Sequence, residues 1–156
     1  MRKTLLTLFI LGLITPLMSQ NVQLHYDFGK DRKYLTSTVE MFKPDKWGNT
    51  FFFIDMNYGN NDIKGVELAY WEIARAVSVC KKVPLALHVE YNGGFGQFHT
   101  QSGNLAYQIN NAYLGGLEYS INNNDFTRGF TLQAMYKYIQ GKQDASFQLT
   151  GVWYLH

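Results

Sequence analysis

The chain has 156 residues, 14 Lys and Arg against 12 Asp and Glu, 16% aromatic and only 17% charged residues. That length makes a single domain with a sizeable core, and a basic excess of only two does not suit a nucleic-acid polymer as partner. Cys80 is the one cysteine, so no internal disulfide staples the fold.

The chain opens on a signal-peptide pattern. Met1-Arg2-Lys3 supplies a charged start, Thr4 to Leu13 an apolar run, Pro16 a break and Ser19 a small residue before a cut near Gln20. The apolar run is too short for a membrane-spanning helix, which needs roughly 20 residues. Residues 1–19 are therefore expected to be removed, leaving residues 20–156 as the mature domain. Arg2 and Lys3 leave with the signal, so 12 basic residues then balance 12 acidic ones.

From Asn21 onward the period is two, as in strands, and no sustained helical stripe appears. Val22, Leu24, Tyr26 and Phe28 share one face against Gln23, His25 and Asp27. Leu35, Val39 and Met41 then oppose Thr36, Thr38 and Glu40, and Phe52, Ile54, Met56 and Tyr58 oppose Phe51, Phe53, Asp55 and Asn57. In a fourth segment Val66, Leu68 and Tyr70 oppose Glu67, Ala69 and Trp71. In a fifth, Leu85, Leu87, Val89 and Tyr91 oppose Ala86, His88, Glu90 and Asn92. A long connection is expected from Asn92 to Asn104. Tyr113, Leu117, Tyr119 and Ile121 then oppose Ala112, Leu114, Glu118 and Ser120. Phe130, Leu132, Ala134, Tyr136 and Tyr138 oppose Thr131, Gln133, Met135 and Lys137. Finally Phe147, Leu149, Trp153 and Leu155 oppose Gln148, Thr150, Val152 and Tyr154. Turn formers separate them at Gly29 to Asp31, Pro44 to Lys46, Gly59 to Asp62, Asn122 to Asp125 and Gly141 to Asp144.

About eight segments of dyad alternation, one face apolar and the other polar, predict an all-β, antiparallel up-and-down transmembrane β-barrel. A soluble lipid-binding barrel would carry its apolar face inside. Here Asp27, Glu40, Asp55, Glu67, His88, Glu90 and Lys137 are too many ionisable groups for a dry cavity. Tyr26, Tyr58, Tyr91 and Tyr138 lie near strand ends on the apolar face, as an interfacial girdle does. The expected location is the outer membrane of a Gram-negative-type cell, with lipid and the barrel-assembly machinery as partners.

The run His25-Tyr26-Asp27-Phe28-Gly29, then Tyr34-Leu35, then Glu40 through Trp47, then Phe51 to Asp55, resembles the nucleoside-specific channel-forming porins, the Tsx-like superfamily. Within that superfamily it is most similar to a poorly characterised branch. The resemblance implies a barrel of about twelve strands whose narrow lumen binds nucleosides between aromatic rings and ionisable groups. Glu40, Phe51, Phe53, Asp55, Glu67, Trp71, His88 and Glu90 share the predicted inner face, where rings stack on a base and carboxylates accept ribose hydroxyls. Phe28 joins them by the resemblance, which sets it near the constriction, whereas alternation points it outward.

The expected function is a passive channel for small hydrophilic solutes, nucleosides among them. A closed structural or adhesin-like barrel is one alternative and a membrane-embedded lipid-modifying enzyme another. No cofactor, metal site or catalytic residue is predicted. His25, His88, His99 and His156 have no partners at metal-ligand spacing, and Gly93-Gly94-Phe95-Gly96 precedes no helix, so it is not a phosphate loop. The last strand stops at His156 in mid-pattern. The expectation is a chain lacking the C-terminal part of its barrel, with no pairing between its first and last strands.

Overall fold

A computed structural model describes residues 19–30, 33–59, 63–80, 82–125 and 127–155. The expected signal peptide lies outside these residues except for Ser19, as do Asp31, the stretch 60–62 and His156. The described chain forms β1 (Ser19–Tyr26), β2 (Leu35–Asp45), β3 (Gly48–Tyr58), β4 (Val66–Cys80), β5 (Val83–Thr100), β6 (Gly103–Asn122), β7 (Arg128–Ile139) and β8 (Ser146–Leu155). Every strand pairs antiparallel with its neighbour in sequence, in the order β1 to β8. The result is one curled up-and-down sheet shaped as a half-barrel. Among the described residues β1 and β8 each pair on one side only, so the sheet is open.

Alternation in the sequence becomes two faces in space, because residues directly opposite in an antiparallel pair project to the same side. The concave face takes the polar set and buries its centre. Met135 is 1% exposed and packs with Ala112, Leu114 and Ile139, while His88 is 4% exposed. The convex face takes the apolar set and leaves it open, with Val22 at 78%, Leu24 at 69% and Leu149 at 76% exposure. Burial is thus inverted relative to a water-soluble sheet, which hides its apolar face.

Cross-strand partners sort the convex aromatics. Tyr91, Tyr113 and Tyr138 form one register row, with the first two rings 5.5 Å apart. Tyr119, Phe130 and Trp153 lie toward the opposite rim, Phe130 and Trp153 in direct register. From Phe130 to Tyr138 is eight residues, about 26 Å along the strand.

At the β2–β3 turn the Arg75 guanidinium donates to both Asp45 oxygens, at 2.7 and 3.0 Å. That hydrogen bond, helped by the Trp47 backbone N–H, holds the Asp45 carboxyl down at about 2. The turn is therefore fastened to β4 as well as to its own hairpin.

Two expectations are corrected. The first concerns β4. Asn57 pairs with Leu68 but Tyr58 pairs with Val66, so Glu67 is the extra residue of a β-bulge. One added residue reverses every face beyond it. Leu68, Tyr70 and Glu72 therefore share the concave face with Asn57, Asp55 and Phe53, and Trp71 joins Ile54 on the convex one. Unbroken alternation puts Leu68 outside and Trp71 inside.

The second concerns residues 92–104, read as a long connection. They are the upper part of a β5–β6 hairpin turning at Gln101–Ser102. The space beside its glycines is filled by neighbouring groups. A Cβ on Gly96 would lie 2.4 Å from the Tyr107 ring, and one on Gly94 would lie 2.8 Å from Ile109 Cδ1. Glycine here marks close packing of large side chains on a strand rather than a loop. On the β7 side, pairing of β6 begins at Ala112, so residues 103–111 project beyond β7 by nine residues, about 30 Å.

Candidate functional site

The ionisable groups collect on the concave face in two neighbouring clusters. The first is built by β2, β3 and β4. Glu40, Phe53 and Glu72 are consecutive register partners, and Thr38, Asp55 and Tyr70 form the next row. Each acid there is held by a hydroxyl or an amide. Thr38 Oγ1 donates to Asp55 at 2.5 Å, Tyr70 Oη to Glu72 at 2.7 Å and Asn21 Nδ2 to Glu40 at 3.3 Å. Three rings stand between these acids, with Phe51 and Tyr70 each 6.0 Å from Phe53 in tilted contact. A short polar side chain opposite a carboxylate is what lets the acid stay hydrogen-bonded while it faces the curl.

The second cluster is built by β5, β6 and β7 around His88. Its Nδ1 donates to Glu118 Oε2 at 2.8 Å, and Glu90 Oε2 lies 3.4 Å from its Nε2. The residue directly opposite His88 is Gly116. With no side chain there, the imidazole reaches diagonally across to Glu118. Gln133 Nε2 adds a second hydrogen bond to the same carboxylate at 3.0 Å. Lys137 stands in the row of Glu90 and Leu114, and its ammonium donates to Gln148 at 3.1 Å. Asn92 is the direct partner of Glu72, so it joins the two clusters.

Two buried polar atoms on this face have no hydrogen-bond partner, His88 Nε2 and Asn92 Oδ1. Buried polar groups are nearly always bonded, and an unmade bond costs about 1–3 kcal/mol.

Of the residues expected at the site, Glu40, Phe51, Phe53, Asp55, His88 and Glu90 share the concave face. Glu67 sits in the β4 bulge without a register partner. Trp71 lies on the convex face beside Phe95, ring centroids 6.0 Å apart. Phe28 lies beyond β1, exposed, edge-on to Tyr26 of the convex set at 4.8 Å. Its position follows the alternation and not the resemblance.

The expected site omitted Glu72, Tyr70, Asn92 and Glu118. Glu118 was legible as an inner-face residue of β6, but nothing in the sequence brings it to His88, 30 residues earlier. Glu72 and Tyr70 were hidden by the bulge. The concave face accordingly carries Glu40, Asp55, Glu72, Glu90 and Glu118 against Lys137, with His88 between two of the acids. Among the described residues no group of three His, Cys, Asp or Glu side chains is arranged to hold a metal ion. Chemically the surface offers carboxylate and carbonyl acceptors beside aromatic faces, suited to hydroxyl-bearing or cationic solutes.

One family model, described as Domain of unknown function (DUF5020), matches residues 19–156. No curated protein and no solved structure matches the chain.

Proposed function

The chain belongs to the DUF5020 family of unknown function, and from that premise we propose that it forms a wall of an outer-membrane β-barrel lining a cation-favouring route for small hydrophilic solutes. The observation that carries this reading is the inverted burial. A convex face of Val22, Leu24, Leu87, Leu132 and Leu149 stays open while His88, Asn92 and Glu118 are buried. In water such a surface costs roughly 25 cal/mol for each Å² of apolar area left wet, whereas hydrocarbon removes that cost. The aromatic rows toward both rims suit the interfaces of a bilayer, where amphipathic rings gather. Their separation of about 26 Å along a strand becomes about 20 Å at a tilt of about 40°, near the height of the apolar band of such barrels.

The solute class follows from the acids. Five carboxylates against Lys137 and the His88 imidazole leave an acidic excess whose field favours cations and repels anions. The Phe51, Phe53 and Tyr70 rings beside Asp55 and Glu40 supply stacking faces and hydroxyl acceptors together, which supports nucleosides as one solute class. A non-conducting structural barrel is the second reading. It is favoured by the filled centre of the concave face, where Met135, Leu114, Ala74, Ala76 and His88 leave little open space.

Reconstitution in planar bilayers under a potassium chloride gradient separates the two. Cation-selective conductance is expected, with selectivity reduced in the combined Glu40→Gln, Asp55→Asn, Glu72→Gln variant. Nucleoside flux into liposomes should fall in Phe53→Ala. Absence of any conductance would leave the structural barrel.

A further inference from the structure

We propose that the concave face holds the ammonium group of a small organic amine between Glu72, Glu90 and Asn92. The proposal deepens the reading above and rests on it, since it requires this face to be reached by solute.

Asn92 provides the starting point. It is 4% exposed and its Oδ1 has no partner. A buried carbonyl oxygen is thus left asking for a donor.

The charges around it say which donor. Glu72 is the direct register partner of Asn92, and Glu90 stands two residues away on the same strand face. Those positions bring the side-chain origins within about 5 Å and about 7 Å of each other. Both carboxylates remain partly exposed toward the curl. Of the nearby cations, His88 donates to Glu118 and lies 3.4 Å from Glu90, and the Lys137 ammonium donates to Gln148 rather than to an acid. Glu72 accepts from the Tyr70 hydroxyl and, among the described residues, has no cation beside it. Two carboxylates and a carbonyl oxygen thus stand on neighbouring positions with one cation, His88, at their edge. A primary ammonium carries three N–H donors on one centre, one for each acceptor. An anion is repelled here, and a neutral hydroxyl leaves the Glu72 charge unbalanced. Lys137 acts in this arrangement as a tethered competitor whose own ammonium weakens the call for an external one.

The test uses the full chain in detergent micelles and three probes of equal carbon chain, n-butylammonium, n-butanol and n-butyrate, with binding read by ligand-observed NMR. Butylammonium should bind about tenfold more tightly than butanol, and butyrate not at all. Glu72→Gln should weaken butylammonium binding about tenfold, whereas Lys137→Met should tighten it. Equal binding of butylammonium and butanol would overturn the site. So would a Lys137→Met variant that weakens binding as Glu72→Gln does, because loss of packing acts in the same direction in both. Ammonium preference without conductance would defeat the channel reading alone, and conductance without ammonium preference would defeat this site alone.

Discussion

Leu87→Arg is the sharpest probe of which face meets lipid. Leu87 is 58% exposed on the convex face, between Val77 of β4 and Leu117 of β6 in register. Tyr91 of the aromatic row lies four residues along β5 in one direction and Val83, the start of the strand, four in the other. Four residues span about 13 Å, or about 10 Å of depth at a tilt of about 40°. Leu87 therefore sits near the middle of an apolar band about 20 Å tall, where arginine on a lipid-facing position costs about 2–4 kcal/mol. The same substitution on a water-facing surface changes stability by no more than about 0.5 kcal/mol, so the two environments differ several-fold in their response. Folding into phosphatidylcholine vesicles, titrated with urea and followed by heat-modifiable gel mobility, measures the difference. Leu155→Arg, at the exposed end of β8, should cost only about 0–1 kcal/mol in the same assay, as positions near an interface do. Equal, negligible costs at both positions would refute the assignment of the convex face to lipid.

The β4 bulge can be checked by cysteine labelling in a Cys80→Ser background. Tyr70→Cys should react with a water-soluble maleimide in reconstituted protein and Trp71→Cys should not, whereas the unbulged pattern requires the reverse. The glycine packing of the β5–β6 hairpin predicts that Gly96→Val costs about 1–3 kcal/mol by overpacking against the Tyr107 ring. Adding Tyr107→Ala should recover part of that loss, and strict additivity of the two in denaturant melts would argue against the contact.

Much of this fold could be read from alternation, and the places where reading failed share a cause. For β2, β3, β5, β6, β7 and β8 the expected faces match the register partners, because one polar and one apolar side leave the pattern a single phase. In β4 both phases are apolar enough to pass. Val66, Leu68 and Tyr70 look outward-facing, but so do Ala69, Trp71 and Ile73, and only the pairing of Tyr58 with Val66 reveals the extra residue. Residues 92–104 read as a loop because glycine and asparagine also signal turns. Their packing depends on Tyr107 and Ile109 across the hairpin and on Trp71 and the Ala69 backbone of β4, none of them near in sequence. A polar face was legible, and Glu40, Asp55, His88 and Glu90 share the concave side that alternation gives them. Its connections were not, since the His88 contact with Glu118 depends on the absence of a side chain at Gly116, on a different strand.

The unbroken order β1 to β8 also bears on how the chain reaches this arrangement. Among the described strands each pairs with its neighbour in sequence, so building this sheet, before any closure into a barrel, needs no pairing of distant stretches. Loop-closure entropy rises with the length of chain enclosed, and here each closure encloses only one short connection. Such a chain can zip hairpin by hairpin, at rates set by local contacts rather than by a slow search for remote ones. Its natural errors are correspondingly local: a slipped pairing at one turn, of two residues so as to keep the faces, rather than a wrong order of strands. Irregularities such as the extra residue at Glu67 then act as pins, because a slip would carry the bulge away from the one pairing that accommodates it.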